Sequence, residues 1–155
     1  MKKEKGFTLI ELLVVVSVIA ILASTVLVNL RGARERAMDT RVISSLGQVR
    51  AVAEIIHSRT GSYTDLCGGG GAATGTLSST TPDGLNVLRA DIDANNGTVG
   101  GAPAGIPVCH VVGTEYCVLS TLNETPTTFW CINSAGRSAR ILTTTTCTSA
   151  ITTCL

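Results

Sequence analysis

From Phe7 to Leu30 the chain has 24 residues with one charged side chain, Glu11, and no Gly or Pro. As an α-helix rising about 1.5 Å per residue, this run is about 36 Å long and crosses the hydrocarbon layer of a bilayer. A carboxylate inside such a helix is costly and needs a partner. The basic stub Met1-Lys2-Lys3-Glu4-Lys5 precedes the run, and Gly6 stands at the junction. A cleaved secretory signal fits poorly: the apolar run is long for one, and Ala20-Ile21-Leu22-Ala23 lacks a clean A-x-A site. An ordinary signal anchor would leave Glu11 near the interface, solvated by water.

The stretch Gly6-Phe7-Thr8-Leu9-Ile10-Glu11-Leu12 resembles the N-terminus of the type IV pilin and type II secretion pseudopilin family. The likeness runs over residues 1–65. It implies that a prepilin peptidase cuts after Gly6, that Phe7 becomes the N-methylated terminus, and that Glu11 is required for subunit assembly. Many members carry a Pro where this chain has Val28 followed by Asn29, so Gly32 is the place where the helix is expected to loosen.

Physical chemistry supports the same reading of Glu11. Each copy carries one α-amine, at Phe7 after cleavage, and one Glu11. Pairing across copies leaves no net buried charge and sets the axial stagger of a helical filament. Removing one partner of such a pair costs roughly 3–5 kcal/mol.

The length of 155 residues suits one domain plus a membrane segment. Lys2, Lys3 and Lys5 are the only lysines; losing residues 1–6, with three Lys and one Glu, takes the net charge from +1 to −1. Positive charge is thus an inside-retention signal at the N-terminus, and the exported part is nearly neutral. Nine scattered Arg and five aromatic residues give no nucleic-acid surface.

Cys67, Cys109, Cys117, Cys131, Cys147 and Cys154 all follow the apolar helix. An even number confined to the exported part predicts disulfides made in an oxidising compartment. A zinc site competes, but no C-x-x-C pair or Cys-His ligand spacing occurs. Spacing alone does not choose among the pairings. The family resemblance implies a link near the C-terminus, Cys131 with Cys147 or Cys154.

Beyond Leu30 charges crowd at Arg31, Arg34, Glu35, Arg36, Asp39 and Arg41, where the helix would leave the membrane. They can meet headgroups, pair with acids of neighbouring subunits, or form a solvated face. Val42, Leu46, Val49, Ala53 and Ile56 then recur at spacings of four and three, one apolar stripe on a helix. No Pro interrupts Phe7 to Thr60, so one helix about 80 Å long is expected, weakened at Gly32 and Gly47 and stopped by Gly61.

Residues 61–107 read as a loop rich in Gly, with a short helix or irregular wall at residues 83–88. The four glycines after Cys67 are no phosphate cradle, because no Lys-Ser/Thr and no strand-to-helix context follow. Asp91 to Gly97 alternates oxygen ligands as a calcium loop does, and related pseudopilins carry calcium near the C-terminal sheet. Here Gly is one place late and the closing Glu is missing, so an Asx-rich turn is the better expectation. Residues 108–112, 116–122, 129–133 and 139–144 are β-branched or aromatic runs between turn signals and predict an antiparallel sheet. Phe129 and Trp130 are expected as surface and core neighbours. The threonines from Thr143 to Thr153 suit a strand edge or an O-glycosylated surface.

His57 and His110 have no nucleophile motif near them and read as surface or boundary residues; no G-x-S-x-G or S-x-x-K occurs. The expected architecture is α+β and pilin-like. Residues 1–6 are the leader, 7–30 the membrane and filament-core helix, 31–60 its amphipathic half and 61–155 a disulfide-tied head. The resemblance implies a structural subunit of a type IV pilus, and the residues, with no catalytic constellation, point to no enzyme, no cofactor and no metal. A type II secretion pseudopilin is the alternative within the family, and a signal-anchored exported binding protein is the alternative outside it. Implied partners are further copies of the chain, the prepilin peptidase, an inner-membrane assembly platform and a cytoplasmic ATPase. Its location would be the cytoplasmic membrane first and an extracellular filament afterwards.

Overall fold

A computed structural model describes residues 6–68, 75–78, 84–96, 107–123, 128–142, 147 and 154. The chain forms two compact units, Met1–Arg34 and Glu35–Leu155. Helix α1 (Leu9–Thr60) supplies most of the first and the opening segment of the second. It is helical at Gly32 and Gly47 too, so neither glycine opens it in the single chain. Gly61 stops it in the left-handed region at φ +73°, its N–H donating to the His57 carbonyl at 2.8 Å. Glycine bears that conformation without a Cβ clash.

In the second unit the apolar stripe of α1 is the floor of the core. Val42, Leu46, Val49, Ala53 and Ile56 are each at most 2% exposed. A six-stranded antiparallel meander packs over them, its strands side by side in chain order. They are β1 (Cys67–Gly68), β2 (Gly75–Leu77), β3 (Val108–Val112), β4 (Glu115–Thr121), β5 (Phe129–Asn133) and β6 (Ser138–Ile141). Helix α2 (Leu85–Asn95) adds Leu85 and Ile92 to the same core.

Because strand side chains alternate, β3 to β5 carry apolar residues on both faces. Cys109, Val111, Tyr116, Val118 and Ile132 share the core with α1. Cys117, Leu119, Phe129, Cys131 and Ile141 gather in a second cluster, closed by Cys147 and Cys154. Phe129 and Trp130 are therefore not a surface and core pair: Phe129 is buried in the second cluster, while Trp130 is half-buried against the first. His110, expected at the surface or the boundary, is only 8% exposed because both sheet faces are covered.

Disulfides join Cys67 to Cys109, Cys117 to Cys147 and Cys131 to Cys154. Of the two partners implied for Cys131, the structure selects Cys154. Two of the three bridges tie Cys147 and Cys154 to the central strands β4 and β5.

The stretch expected as a loop holds β1, β2 and α2. Both strands are too short to show a period of two. A Cβ on Gly75 would run into the Gly68 carbonyl oxygen, so only glycine admits the β1–β2 approach. Leu85, Leu88 and Ile92, spaced by three and four, put α2 on the core, and residues 91–95 are helical instead of forming an Asx turn. Asp83, Gly97, the threonines from Thr143 to Thr153 and residues 1–5 lie outside the described residues.

Candidate functional site

In the first unit the helix is apolar all round and its large side chains from Leu9 to Leu22 are exposed. Three hydroxyls along it are satisfied by the helix's own backbone. Ser17, Ser24 and Thr25 donate their hydroxyls to the carbonyls of Val14, Ile21 and Leu22, at 2.7, 2.8 and 2.9 Å. This stretch is long and apolar enough to cross a membrane.

Phe7 and Thr8 precede the first helical residue, Leu9. The Gly6–Phe7 peptide bond therefore sits in non-helical chain, with no heavy atom within 4 Å of where a Gly6 Cβ would stand and Phe7 76% exposed.

Thr8 occupies the N-cap and Glu11 the third helical position. The Thr8 carbonyl accepts the Leu12 N–H at 3.3 Å, the first bond of the helix. The Thr8 N–H and hydroxyl donate to Glu11 Oε2 at 2.9 and 2.6 Å, and the Glu11 N–H donates to Thr8 Oγ1 at 3.3 Å. This is a capping box, in which a carboxylate and a hydroxyl satisfy each other's backbone N–H groups. Glu11 therefore does not depend wholly on another chain, as the bare apolar run implies. The sequence carries the signature of this cap, Thr-x-x-Glu ahead of an apolar run, in Thr8 and Glu11. Phe7, Ile10, Glu11, Val14 and Val15 line a shallow, almost wholly apolar groove beside it.

Residues 1–27 match the prokaryotic N-terminal methylation motif. The chain has the prepilin-type N-terminus of the type IV pilin and pseudopilin family. Curated relatives of the chain include the type IV wide pilus major component PilA4 of Thermus thermophilus, 47% identical over 64 residues. That match covers 41% of this chain and 49% of the relative. The type IV major fimbrial protein FimA of Dichelobacter nodosus is 35% identical over 97 residues, 62% of this chain and 60% of its own length. The type II secretion system core protein G of Klebsiella pneumoniae is 44% identical over 46 residues, 30% of this chain and 33% of its own. This chain thus spans about half or less of the Thermus and Klebsiella proteins. No solved structure matches it significantly.

In the second unit several ionisable residues are engaged in structure. Asp91 Oδ2 accepts the Ser45 hydroxyl at 2.6 Å, and Asp93 Oδ2 lies 3.6 Å from Arg89 Nε. Burial nevertheless raises the Asp93 carboxyl above its ordinary value, Arg89 opposing. Among the described residues no three His, Cys, Asp or Glu side chains gather as metal ligands. His57 stacks on Tyr63 with ring centroids 4.5 Å apart, and the Tyr63 hydroxyl donates to the Glu54 carboxylate at 3.2 Å. Tyr116, with no exposed surface, lies 4.7 Å from Tyr63, ring to ring. Burial pushes the Tyr116 hydroxyl up to about 12, Arg50 opposing.

Proposed function

We propose that this chain is the structural subunit of a type IV pilus, made as a membrane-held precursor and polymerised through its N-terminal helix. One observation carries the reading. An exposed Gly6–Phe7 bond stands just before an apolar helical stretch, running to Leu30, whose one carboxylate, Glu11, lies within a turn of the new terminus. Cleavage by a prepilin peptidase frees the Phe7 amine, which is then methylated. In the filament the amine of one copy meets Glu11 of another, and the apolar helices exchange lipid for one another. An assembly platform in the inner membrane and a cytoplasmic ATPase supply the work, and the chain itself catalyses nothing. The similarity to protein G of type II secretion favours a second reading, a pseudopilin acting inside the envelope.

Intact-mass analysis of filaments sheared from the cell surface tests the proposal. The expected mass begins at methylated Phe7. A chain still starting at Met1, or cut near Ala23, would overturn it, and a processed chain confined to the envelope would favour the pseudopilin. Glu11→Val tests the pairing separately: the variant should be processed yet enter mixed filaments poorly, and normal incorporation would refute the contact.

A further inference from the structure

A lone carboxylate on an apolar helix faces two demands. Before assembly it must be tolerated in lipid, and during assembly it must be presented to a cation on another chain. The geometry at the start of α1 meets both through one residue. Thr8 directs its N–H and its hydroxyl at the same oxygen, Oε2, at 2.9 and 2.6 Å. Neither bond goes to Oε1. The bonds also fold the Glu11 side chain back toward the chain terminus, where the positive end of the helix dipole favours an anion. The scissile bond lies one residue before Thr8, so the amide N–H of Thr8 is present both before and after cleavage.

We propose that Thr8 is a positioning residue for assembly: it holds Glu11 Oε2 so that Oε1 is presented to the Phe7 amine of a neighbouring copy. This rests on the pairing reading above. Without the hydroxyl, the carboxylate keeps only the backbone N–H and swings among rotamers along the helix, and the solitary subunit holds a poorly satisfied anion in lipid. Serine supplies the same hydroxyl at the same place; valine supplies the same shape without it.

The experiment expresses full-length Thr8→Val, Thr8→Ser and Glu11→Val chains, each beside a tagged native chain. It scores N-terminal processing by mass, and the share of each variant in sheared filaments against that in membranes. Thr8→Val should be cleaved and methylated like the native chain and should fall about 5-fold in incorporation, the equilibrium effect of losing one N-cap. Thr8→Ser should restore incorporation, which a purely steric role for the threonine methyl would not allow. Native incorporation of Thr8→Val, failure of Thr8→Ser to rescue, or a block of Thr8→Val at cleavage would each overturn the proposal. Glu11→Val separates the two layers. Poor incorporation of Glu11→Val beside normal incorporation of Thr8→Val sinks only the role of Thr8; normal incorporation of Glu11→Val sinks the pairing beneath it.

Discussion

The carboxylate of Asp39, on α1, accepts the backbone N–H of Asn123 at 2.5 Å and its side-chain Nδ2 at 3.1 Å, across 84 residues of sequence. Asn123 also donates to the Asn95 carbonyl at 2.6 Å, so one carboxylate and one amide tie α1, the end of β4 and the end of α2 together. Asp39 is buried although it stands among the charges that the sequence places where the helix leaves the membrane. Its burial is tolerable because Asn123 supplies it with donors.

Asp39→Ala should therefore lower the stability of the second unit by about 1–3 kcal/mol, since the Asn123 N–H is left without its acceptor. Urea unfolding of the full chain in detergent, followed through Trp130, checks this. The chain has one Trp, so the signal reports one site. An unchanged midpoint would mean that water replaces the carboxylate.

Leu46 has no exposed surface, and Ile55 on the same helix is 48% exposed. Leu46→Ala should cost about 2–5 kcal/mol through the cavity it leaves. Ile55→Ala should stay within about 0.5 kcal/mol of the native chain. Equal effects would show that the stripe is not the floor of the core.

Three bridges give a defined peptide map: Cys67 with Cys109, Cys117 with Cys147, and Cys131 with Cys154. Replacing Cys131 and Cys154 together by Ser removes a cross-link across a sequence separation of 23 and should cost about 3 kcal/mol. It should also loosen the cover over Leu119, Phe129 and Ile141, increasing the binding of a hydrophobic dye. Filaments should survive reduction, because the apolar helix has no cysteine. Disassembly by reductant alone would place the polymerising contacts in the head.

Both tyrosines of the chain resist ionisation. Burial raises Tyr63, helped by the Glu54 carboxylate, and takes Tyr116 to about 12 from an ordinary 10.0. Raised folded values mean that the folded state holds protons which the unfolded state has released. Their stabilisation is complete below pH 10 and is lost as pH rises from about 10 to about 12. Unfolding midpoints measured briefly across that range should fall, and phenolate absorbance should lag behind that of free tyrosine. Ionisation of both rings near 10 with the fold intact would contradict the buried placement of Tyr116.

Features written in neighbouring residues were open to sequence reasoning. The apolar run, the stripe of Val42, Leu46, Val49, Ala53 and Ile56, the stop at Gly61 and the strands around residues 108–112 and 129–133 all follow from local periodicity and turn chemistry. Thr8 is legible in the sequence, since its spacing from Glu11 spells a capping box, although a buried carboxylate by itself points to a charged partner and not to a neutral one. The strand at Cys67–Gly68 was not legible, for two residues carry no period.

By itself, then, the sequence determined a helix whose first half needs apolar surroundings, an amphipathic continuation and an antiparallel sheet of short apolar strands. Helix and strand periods are local, and apolar surface must leave water. Only the tertiary structure decided that Cys131 takes Cys154, that Asp39 reaches Asn123, and that cystines close the second face of the sheet. Those contacts join residues far apart in the chain, and their energies exist only once the backbone has brought the partners together.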